Sequence, residues 1–168
     1  MKFRLAVMED LPQLKEVYKG IIKNMEYNQI HIWDDIYPCK FFEKDIQNNC
    51  LYVLLNQNEI VSAFALYNTN SGEKSVEWKE NQCKVLYLNC LGVNINYLKM
   101  GIGSFMLEKA KETAKNLGAV YLRLFVVDIN KPAINLYIKN GFIKVNGIYH
   151  ERIDKDLVLH EYGFEVML

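Results

Sequence analysis

Residues Leu91–Met106 read LGVNINYLKMGIGSFM, and they place Gly101 and Gly103 between an apolar run and a pattern typical of a helix. The first amides of a helix have no intrahelical acceptor, and the helix dipole gives that end a partial positive charge. Glycine lacks the Cβ that would hold a ligand away from the backbone, so this junction favours a phosphate group. A tight turn is the simpler alternative for two glycines in a loop.

Two common nucleotide-binding patterns do not fit this stretch. The dinucleotide pattern GxGxxG requires a third glycine at the position of Met106. The P-loop requires GxxxxGK followed by Ser or Thr, which is also absent. A Rossmann-type nucleotide binder with Asp128 at a ribose is therefore a remote alternative, and the rest of the chain must identify the ligand.

Length and composition indicate one globular domain with its own core. The chain has 168 residues, of which 51% are hydrophobic and 24% charged. Twenty Lys and Arg balance 20 Asp and Glu, so no overall field favours nucleic acid or an anionic membrane. The four cysteines show no CxxC pairing, which gives no support for a metal site. Because the N-terminus has no signal-peptide core and no apolar run has membrane-spanning length, we expect a cytoplasmic protein.

Hydrophobic periodicity predicts strands alternating with helices along the chain. Both faces of the strand KVLYLNCLGV are apolar, which predicts a central position in the sheet. The other predicted strands are Phe3–Val7, LYVLLN, IVSAFALYN, AVYLRLFVV, about Phe142–His150 and Leu157–Val166. Predicted helices start at Asp10–Pro12, run from Phe41 to Asn48, start at Ile102 and end at Gly118, and start at Asn130 and end at Gly141.

Two motifs resemble one known family. The segment LGVNINYLKMGIGSFMLEKA resembles the acetyl-CoA-binding segment of the GCN5-related N-acetyltransferase (GNAT) family. That pattern is Arg or Gln, two residues, Gly, one residue, then Gly or Ala; Gly101 and Gly103 match it, and Leu98 stands at the Arg or Gln position. The later segment NKPAINLYIKNGF resembles the family's second motif at Asn130, Ala133, Leu136, Tyr137, Gly141 and Phe142.

The resemblance implies a single GNAT domain over residues 1–168. Its fold class is α/β or α+β, with one mixed, strongly twisted sheet of about seven strands flanked by about four helices. Acetyl-CoA is expected in the splay between the family's fourth and fifth strands, with no metal. The implied coenzyme-binding residues are Leu91, Gly92, Val93, Leu98, Lys99, Met100, Gly101, Ile102, Gly103, Ser104, Asn130, Ala133 and Tyr137.

Acyl transfer to an amine needs an acid for the departing thiolate and a base for the amine. Tyr137 occupies the position at which the family commonly places the acid, and a neutral phenol can protonate a thiolate at hydrogen-bond distance. The central strand carries Asn89 and Cys90 but no carboxylate. We therefore expect the amine to be deprotonated through water, with Asn89 or a backbone carbonyl as relay. The alternative base is Glu77 or Asp35, brought in from a loop. Cys90 as a covalent nucleophile is less favoured than a buried structural thiol.

The acceptor is expected at the segment MEYNQIHIWDDIYP, because the family's specificity lies mainly in its first helices and their connection. Trp33 and Tyr37 are candidates for an aromatic wall with His31, and Asp34 and Asp35 for attraction of a cationic amine. Glu77 and Trp78 are candidates for the other side of the site. The alternative is that the aromatic side chains anchor the loop and the aspartates are solvated.

Two functions remain open at this point. The first is an acetyl-CoA-dependent N-acetyltransferase acting on a primary amine of a small molecule or peptide. The second is a non-catalytic acyl-CoA-binding or sensing module, which Leu98 and the missing strand carboxylate favour and Tyr137 disfavours. Homodimers are common in the family, so the resemblance also implies a homodimer as a candidate assembly.

Overall fold

The computed structural model describes residues 1–34 and 36–168. The chain divides into two compact units: Met1–Ala65 with Cys90–Met106, and Leu66–Asn89 with Leu107–Leu168. The helices are α1 (Leu11–Tyr27), α2 (Phe42–Gln47), α3 (Ile102–Asn116) and α4 (Lys131–Lys139). The strands are β1 (Lys2–Leu5), β2 (Leu51–Asn56), β3 (Glu59–Tyr67), β4 (Val76–Glu77), β5 (Val85–Val93), β6 (Tyr121–Val127), β7 (Ile143–Lys144), β8 (Asn146–Gly147), β9 (Tyr149–Arg152) and β10 (Val158–Met167).

In the first unit, strands lie in the order β1-β2-β3-β5, and β1–β2 and β2–β3 pair antiparallel. Helix α1 buries Leu14, Tyr18, Ile21 and Ile22, whose three-and-four spacing puts them on one helix face. The buried Tyr18 hydroxyl contacts two strands, with its oxygen 2.5 Å from the Cys90 carbonyl oxygen and 3.2 Å from that of Ala63. Helix α1 is thereby tied to the second half of β5.

In the second unit, strands lie in the order β5-β6-β10-β7, with β9 paired to β10. β5 and β6 are parallel, whereas β10 is antiparallel to β6, so the sheet is mixed as predicted. A buried ion pair joins β6 to β10, with Arg123 Nε 3.2 Å from Glu165 Oε2. Trp78 covers the guanidinium group at 4.5 Å from the ring centroid. Two short strands, β4 and β8, form a separate antiparallel sheet.

The four predicted helices are confirmed to within a few residues, and α3 and α4 are closed by Gly118 and Gly141 at φ values of +83° and +86°. Asp10 does not cap α1 as a helix start normally would. Its carboxylate instead accepts from the Val7 amide at 2.8 Å and pairs with Arg4. A 3-10 turn, Met8–Asp10, therefore separates β1 from α1.

The prediction of a single strand over Phe142–His150 is wrong. This segment breaks into β7, β8 and β9, and β8 leaves the main sheet to pair with β4. At Gly147 the backbone has φ +101°, and an added Cβ would lie 2.7 Å from the Ser75 carbonyl oxygen. Close approach to β4 therefore requires glycine here and ends the regular strand.

Candidate active site

The segment Asn94–Ser104, called the glycine loop below, is fixed to the first unit by Asn94. This side chain is only 6% exposed, and its amide nitrogen donates to the Ile60 carbonyl oxygen at 3.0 Å. Its oxygen accepts from the Asn96 amide at 3.1 Å, which starts the 3-10 turn Ile95–Tyr97. Sequence reasoning missed Asn94, although an Asn directly after a strand is a typical turn-forming residue.

The backbone conformation of the glycine loop turns its main chain toward solvent. Lys99 and Gly101 have φ values of +62° and +78°, and an added Cβ at Gly101 would meet no atom within 4 Å. Leu98 and Met100 are 44% and 64% exposed, so these apolar side chains do not hold the loop in a core. An open backbone with small or unanchored side chains is what a phosphate-binding loop requires.

Helix α3 begins directly after this turn, at Ile102. The amides of Ile102 and Gly103 belong to its first turn and have no acceptor four residues earlier within the helix. The partial positive charge of the helix start adds to the electrostatic attraction for an anion. Gly101, Gly103 and Ser104, all predicted as binding residues, lie together at this helix start, with the Gly101 carbonyl oxygen accepting from Phe105 N at 3.1 Å.

Strand β5 turns its backbone groups to two sides before it reaches the loop. The Gly92 carbonyl oxygen accepts from Ser62 Oγ at 2.6 Å, and the Asn94 amide donates to the Val61 carbonyl oxygen at 2.8 Å, so both face β3. Since backbone groups of successive strand residues point to opposite sides, those of Leu91 and Val93 point away from β3. That direction suits strand-like pairing with an extended ligand.

Gly92 has a packing reason as well as its predicted binding role. A Cβ at this position would lie 2.8 Å from the Tyr18 ring and 2.9 Å from Ile21 Cδ1. Such distances are not tolerated, so α1 packs on β5 only with glycine here. The neighbouring Cys90 has φ +54°, which interrupts the regular strand geometry next to Asn89.

Cys90 is a buried thiol and not an activated nucleophile. Desolvation, the largest effect, raises the pKa of Cys90 to about 12, against a smaller opposing effect from the Tyr37 hydroxyl. The Tyr37 oxygen lies 3.1 Å from Cys90 Sγ. Because the nucleophilic form is the thiolate, the raised pKa disfavours covalent catalysis at neutral pH.

The second unit holds the residues of the later motif. Asn130 caps α4, its side-chain oxygen accepting from the Ala133 amide at 3.3 Å, and Pro132 lies in the first turn. Tyr137 follows on the same helix and is 9% exposed. Its ring contacts Phe142 and Phe164 at centroid distances of 5.8 and 6.4 Å. The motif residues Tyr137 and Phe142 are thus brought together by the turn at Gly141.

The parallel pairing of β5 with β6 is short. Its register runs from Val85–Tyr121 to Tyr87–Arg123. Asn89 follows on β5, half-buried, and its side-chain nitrogen lies 3.2 Å from the Tyr87 carbonyl oxygen. The predicted relay residue is therefore placed on β5 two residues beyond the end of this pairing.

The predicted acceptor residues take several different positions. Trp33 stacks on Tyr18 at a centroid distance of 5.5 Å, which anchors the loop. Asp34 Oδ1 accepts from the amides of Ile36 and Tyr37 at 2.8 and 2.7 Å, so this carboxylate holds a turn. Glu77 is exposed on β4 near Asn146 Nδ2 at 3.4 Å. Asp35 lies outside the described residues.

Trp78, expected near the acceptor, is buried at 8% exposure. It packs against Arg123, Tyr87 and Phe125, and its ring nitrogen donates to the Glu73 carbonyl oxygen at 2.8 Å. Within residues 1–34 and 36–168, no cluster of His, Cys, Asp and Glu suited to a metal ion is present. The helices in the same ranges include none long and apolar enough to cross a membrane.

Comparison with known proteins gives a family for this arrangement. Residues 14–142 match the family model described as Acetyltransferase (GNAT) family. The chain is also 26% identical over 148 residues to YwnH of Bacillus subtilis (strain 168), named as a candidate phosphinothricin acetyltransferase. That match covers 84% of this chain and 83% of the relative.

Solved structures share the fold over the whole chain. The ribosomal-protein-alanine N-acetyltransferase from Brucella melitensis superposes with a TM-score of 0.71 at 19% identity, covering 100% of both chains. The structure of yncA from Salmonella typhimurium with its cofactor acetyl-CoA gives a TM-score of 0.66 at 14% identity. It covers 99% of this chain and 92% of that one. At these identities the likeness is one of fold.

Proposed function

Because the chain belongs to the acetyltransferase (GNAT) family, we propose that it moves the acetyl group of acetyl-CoA directly to a primary amine of a small molecule or peptide. The observation that carries this proposal is the glycine loop, which presents open backbone at the start of α3. Coenzyme A contains a pyrophosphate, which a loop of this kind can bind through its main-chain amides. The family match indicates that the reaction is acetyl transfer.

In this proposal the glycine loop binds the pyrophosphate through main-chain amides of Lys99–Ser104. Leu98 contributes backbone only, which is compatible with an apolar side chain at the usual Arg or Gln position. The outward-facing backbone of Leu91 and Val93 pairs with the pantetheine arm. Asn130 and Ala133, at the start of α4, add further contacts to that arm. Acetyl-CoA is the co-substrate of the family, and the chemistry it supplies is a reactive thioester.

Proton transfer in this proposal is assigned to two side chains. The amine nitrogen forms a bond to the acetyl carbonyl carbon, and the carbon–sulfur bond breaks. Tyr137 gives a proton to the departing CoA thiolate, since a phenol of ordinary pKa about 10 is protonated at neutral pH. Asn89 orients a water that takes the proton lost by the amine.

The acceptor class is drawn from the relatives and from charge. YwnH is named for a small-molecule acceptor, and the Brucella enzyme for an alanine of a ribosomal protein. Trp33, Asp34, Asp35, Tyr37 and Glu77 are proposed acceptor-side residues. Asp34 acts in this scheme by holding the turn that presents Tyr37, because its oxygen is already bonded to two amides.

The first experiment measures thiol release from acetyl-CoA with a panel of amines: phosphinothricin, lysine, spermidine and a peptide with N-terminal alanine. We expect one or more amines to give thiol release together with an acetylated product detected by mass. Calorimetric titration with acetyl-CoA serves as the control for coenzyme binding. Tight binding without amine-dependent release would favour a sensing module, and no binding would reduce the glycine loop to a turn.

A further inference from the structure

We propose that Glu161 on β10 is the base that finally receives the proton of the acceptor amine, and that Glu151 on β9 positions and tunes it. This inference rests on the proposed acetyl transfer, which requires a proton acceptor that β5 does not provide. Neither residue was predicted from the sequence. A carboxylate inside the apolar strand VLHEYGFEVM, at a position other than the ion-paired Glu165, is the signal that would have found Glu161.

The register of the second unit places Glu161 on a defined face of the sheet. Glu161 pairs with Val127, Gly163 with Phe125 and Glu165 with Arg123, so these alternate residues share one face. Arg123 also pairs with Tyr87 of β5, which puts Tyr87 and, two residues on, Asn89 on that face. The proposed relay residue Asn89 and the proposed base Glu161 therefore lie on the same side of the sheet.

Tyr137, the proposed acid, lies on the other face. Its ring contacts Phe164, which pairs with Leu124 and points opposite to Gly163 and Glu165. Acid and base are thus separated by the sheet itself. The two proton-transfer groups are therefore not in contact, and neither neutralises the other.

Glu161 also lies close in the chain topology to the start of α4. It pairs with Val127, whose carbonyl oxygen accepts from the Asn130 amide at 2.9 Å. Asn130 is the residue proposed to contact the pantetheine arm. One turn therefore connects Val127, the end of β6 that pairs with Glu161, to Asn130. All three residues belong to the second unit.

A second carboxylate acts directly on Glu161. Glu151 lies on β9 diagonally across from it, since Glu151 pairs with Leu159 and Glu161 with Tyr149. Desolvation, a hydrogen bond to Glu151 and repulsion by its charge raise the pKa of Glu161 to about 8, in that order of size. Two carboxylates that share a proton attract an ammonium group, and a base of this pKa can accept its proton near neutral pH.

The other charged and titratable groups near Glu161 have partners of their own or point to the opposite face. Arg123, on the same face of β6, is paired with Glu165. The Tyr149 hydroxyl of β9 donates to Ser71 Oγ at 3.0 Å. His150 and His160 pair with each other across the two strands and, by alternation, point to the opposite face from Glu151 and Glu161. Of the described residues, Glu151 is therefore the charged group that adds to desolvation in raising the pKa of Glu161.

Two aromatic side chains lie on this face beside Glu161. Tyr149 pairs with Glu161 across β9 and β10, and Phe125 makes an edge contact with Tyr149 at 5.7 Å. A cation bound near carboxylates is further stabilised beside aromatic rings. The acceptor chemistry that fits is a primary ammonium on an otherwise uncharged or cationic molecule, and an acidic amine would be repelled.

The proton balance is complete without another reactant. The ammonium group loses one proton through water to ionised Glu161, and the free amine forms the carbon–nitrogen bond. The second N–H proton lost in forming the amide passes to solvent, while Tyr137 protonates the thiolate and is reprotonated from solvent. The products are the amide, CoA thiol and one net proton.

The test is the pH profile of kcat/KM for the best amine of the panel, in wild type, E161Q and E151Q. Wild type is expected to gain activity as pH rises through about 8, because Glu161 must be ionised to act. E161Q should lose about 100-fold in kcat. E151Q should keep most of the plateau rate but shift the rising limb about one pH unit lower, since removing the like charge lowers the pKa of Glu161.

The matched control is E112Q, an exposed glutamate on α3 that pairs with Lys109, which should leave the profile unchanged. Acetyl-CoA affinity should be unchanged in all three variants by calorimetry. Full activity of E161Q, or an unmoved limb in E151Q, overturns the inference even if E161Q proves unstable, because E151Q tests the same ionisation. If the wild type turns over and E161Q keeps full activity, the role of Glu161 is wrong but the proposed acetyl transfer is not. If no amine is acetylated by the wild type, both proposals are wrong.

Discussion

The glycine loop and helix α4 use opposite means to present a binding surface. In the glycine loop the side chains of Leu98 and Met100 are exposed, and Gly101 has no side chain. The loop is held in place by the hydrogen bond from the Asn94 side chain to the Ile60 carbonyl oxygen. On α4 the working groups are side chains: Asn130 caps the helix and Tyr137 is packed between Phe142 and Phe164. A substitution in the loop should therefore alter binding by changing the backbone conformation. A substitution on α4 should act by removing a side-chain functional group.

The largest expected effect is on α4. Tyr137→Phe should lower kcat about 100-fold or more while changing acetyl-CoA affinity little, because an acid acts in the transition state. Phenylalanine retains the ring contacts to Phe142 and Phe164. Steady-state kinetics and calorimetry on the same preparation measure both quantities.

Tyr162→Phe is the matched control, since Tyr162 lies on β10 and contacts Lys144 Nζ through its ring at 3.4 Å. It should retain wild-type kcat. Parallel losses of rate and affinity in Tyr137→Phe, or no loss of rate, would remove Tyr137 from the role of acid.

The second largest effect is expected for a change in the backbone of the glycine loop. Gly101 and Gly141 allow a matched comparison of acetyl-CoA affinity. Gly101 and Gly141 both have positive φ, at +78° and +86°, and both would accept a Cβ without contact within 4 Å. Alanine should therefore cost each about 1–2 kcal/mol of folding free energy. Only Gly101→Ala should also weaken acetyl-CoA binding, by about tenfold, or roughly 1.4 kcal/mol.

Thermal denaturation and calorimetry separate the two quantities. Equal affinities of Gly101→Ala and Gly141→Ala would show that the loop does not bind the coenzyme through its backbone. A much larger stability loss in Gly101→Ala would indicate that the substitution had changed the loop fold.

The smallest expected effect is at Leu98. Leu98→Arg restores the family's usual residue at an exposed position, and we expect a gain of about twofold to fivefold in acetyl-CoA affinity at low salt, lost at high salt. Leu98→Ala is the control and should bind as wild type does. A large gain from arginine that persists at high salt would contradict a loop that works mainly through its main chain.

The two motifs were readable from the sequence because they consist of local patterns. Glycines at a strand-to-helix junction, and Asn-x-Pro before an apolar helical stripe, predict local structure without knowledge of distant residues. Three-and-four spacing of apolar residues also indicates one buried face on α1 and one on α3, where Tyr18 and Met106 are fully buried. Leu117 continues the α3 spacing but is 46% exposed, because the helix ends at Asn116.

The features of the fold and the site that could not be predicted depend on pairings between residues far apart in sequence. The β4–β8 sheet requires Val76 and Gly147 to meet, and no local pattern indicates that. Gly92 was predicted from its motif, but its packing reason lies in Tyr18. The Glu151–Glu161 contact follows only once β9 and β10 are in register. The periodicity of side chains predicts which face of a helix or strand is buried. The contacts within a site follow only from the register between strands.

The most direct test of the account is amide hydrogen exchange of the glycine loop with and without acetyl-CoA. We predict that amides of Lys99–Ser104 become at least about tenfold more protected on binding, because they donate to the pyrophosphate, while the α2 amides of Phe42–Gln47 do not change. Tight binding of acetyl-CoA with no change in exchange at Lys99–Ser104 would contradict the account.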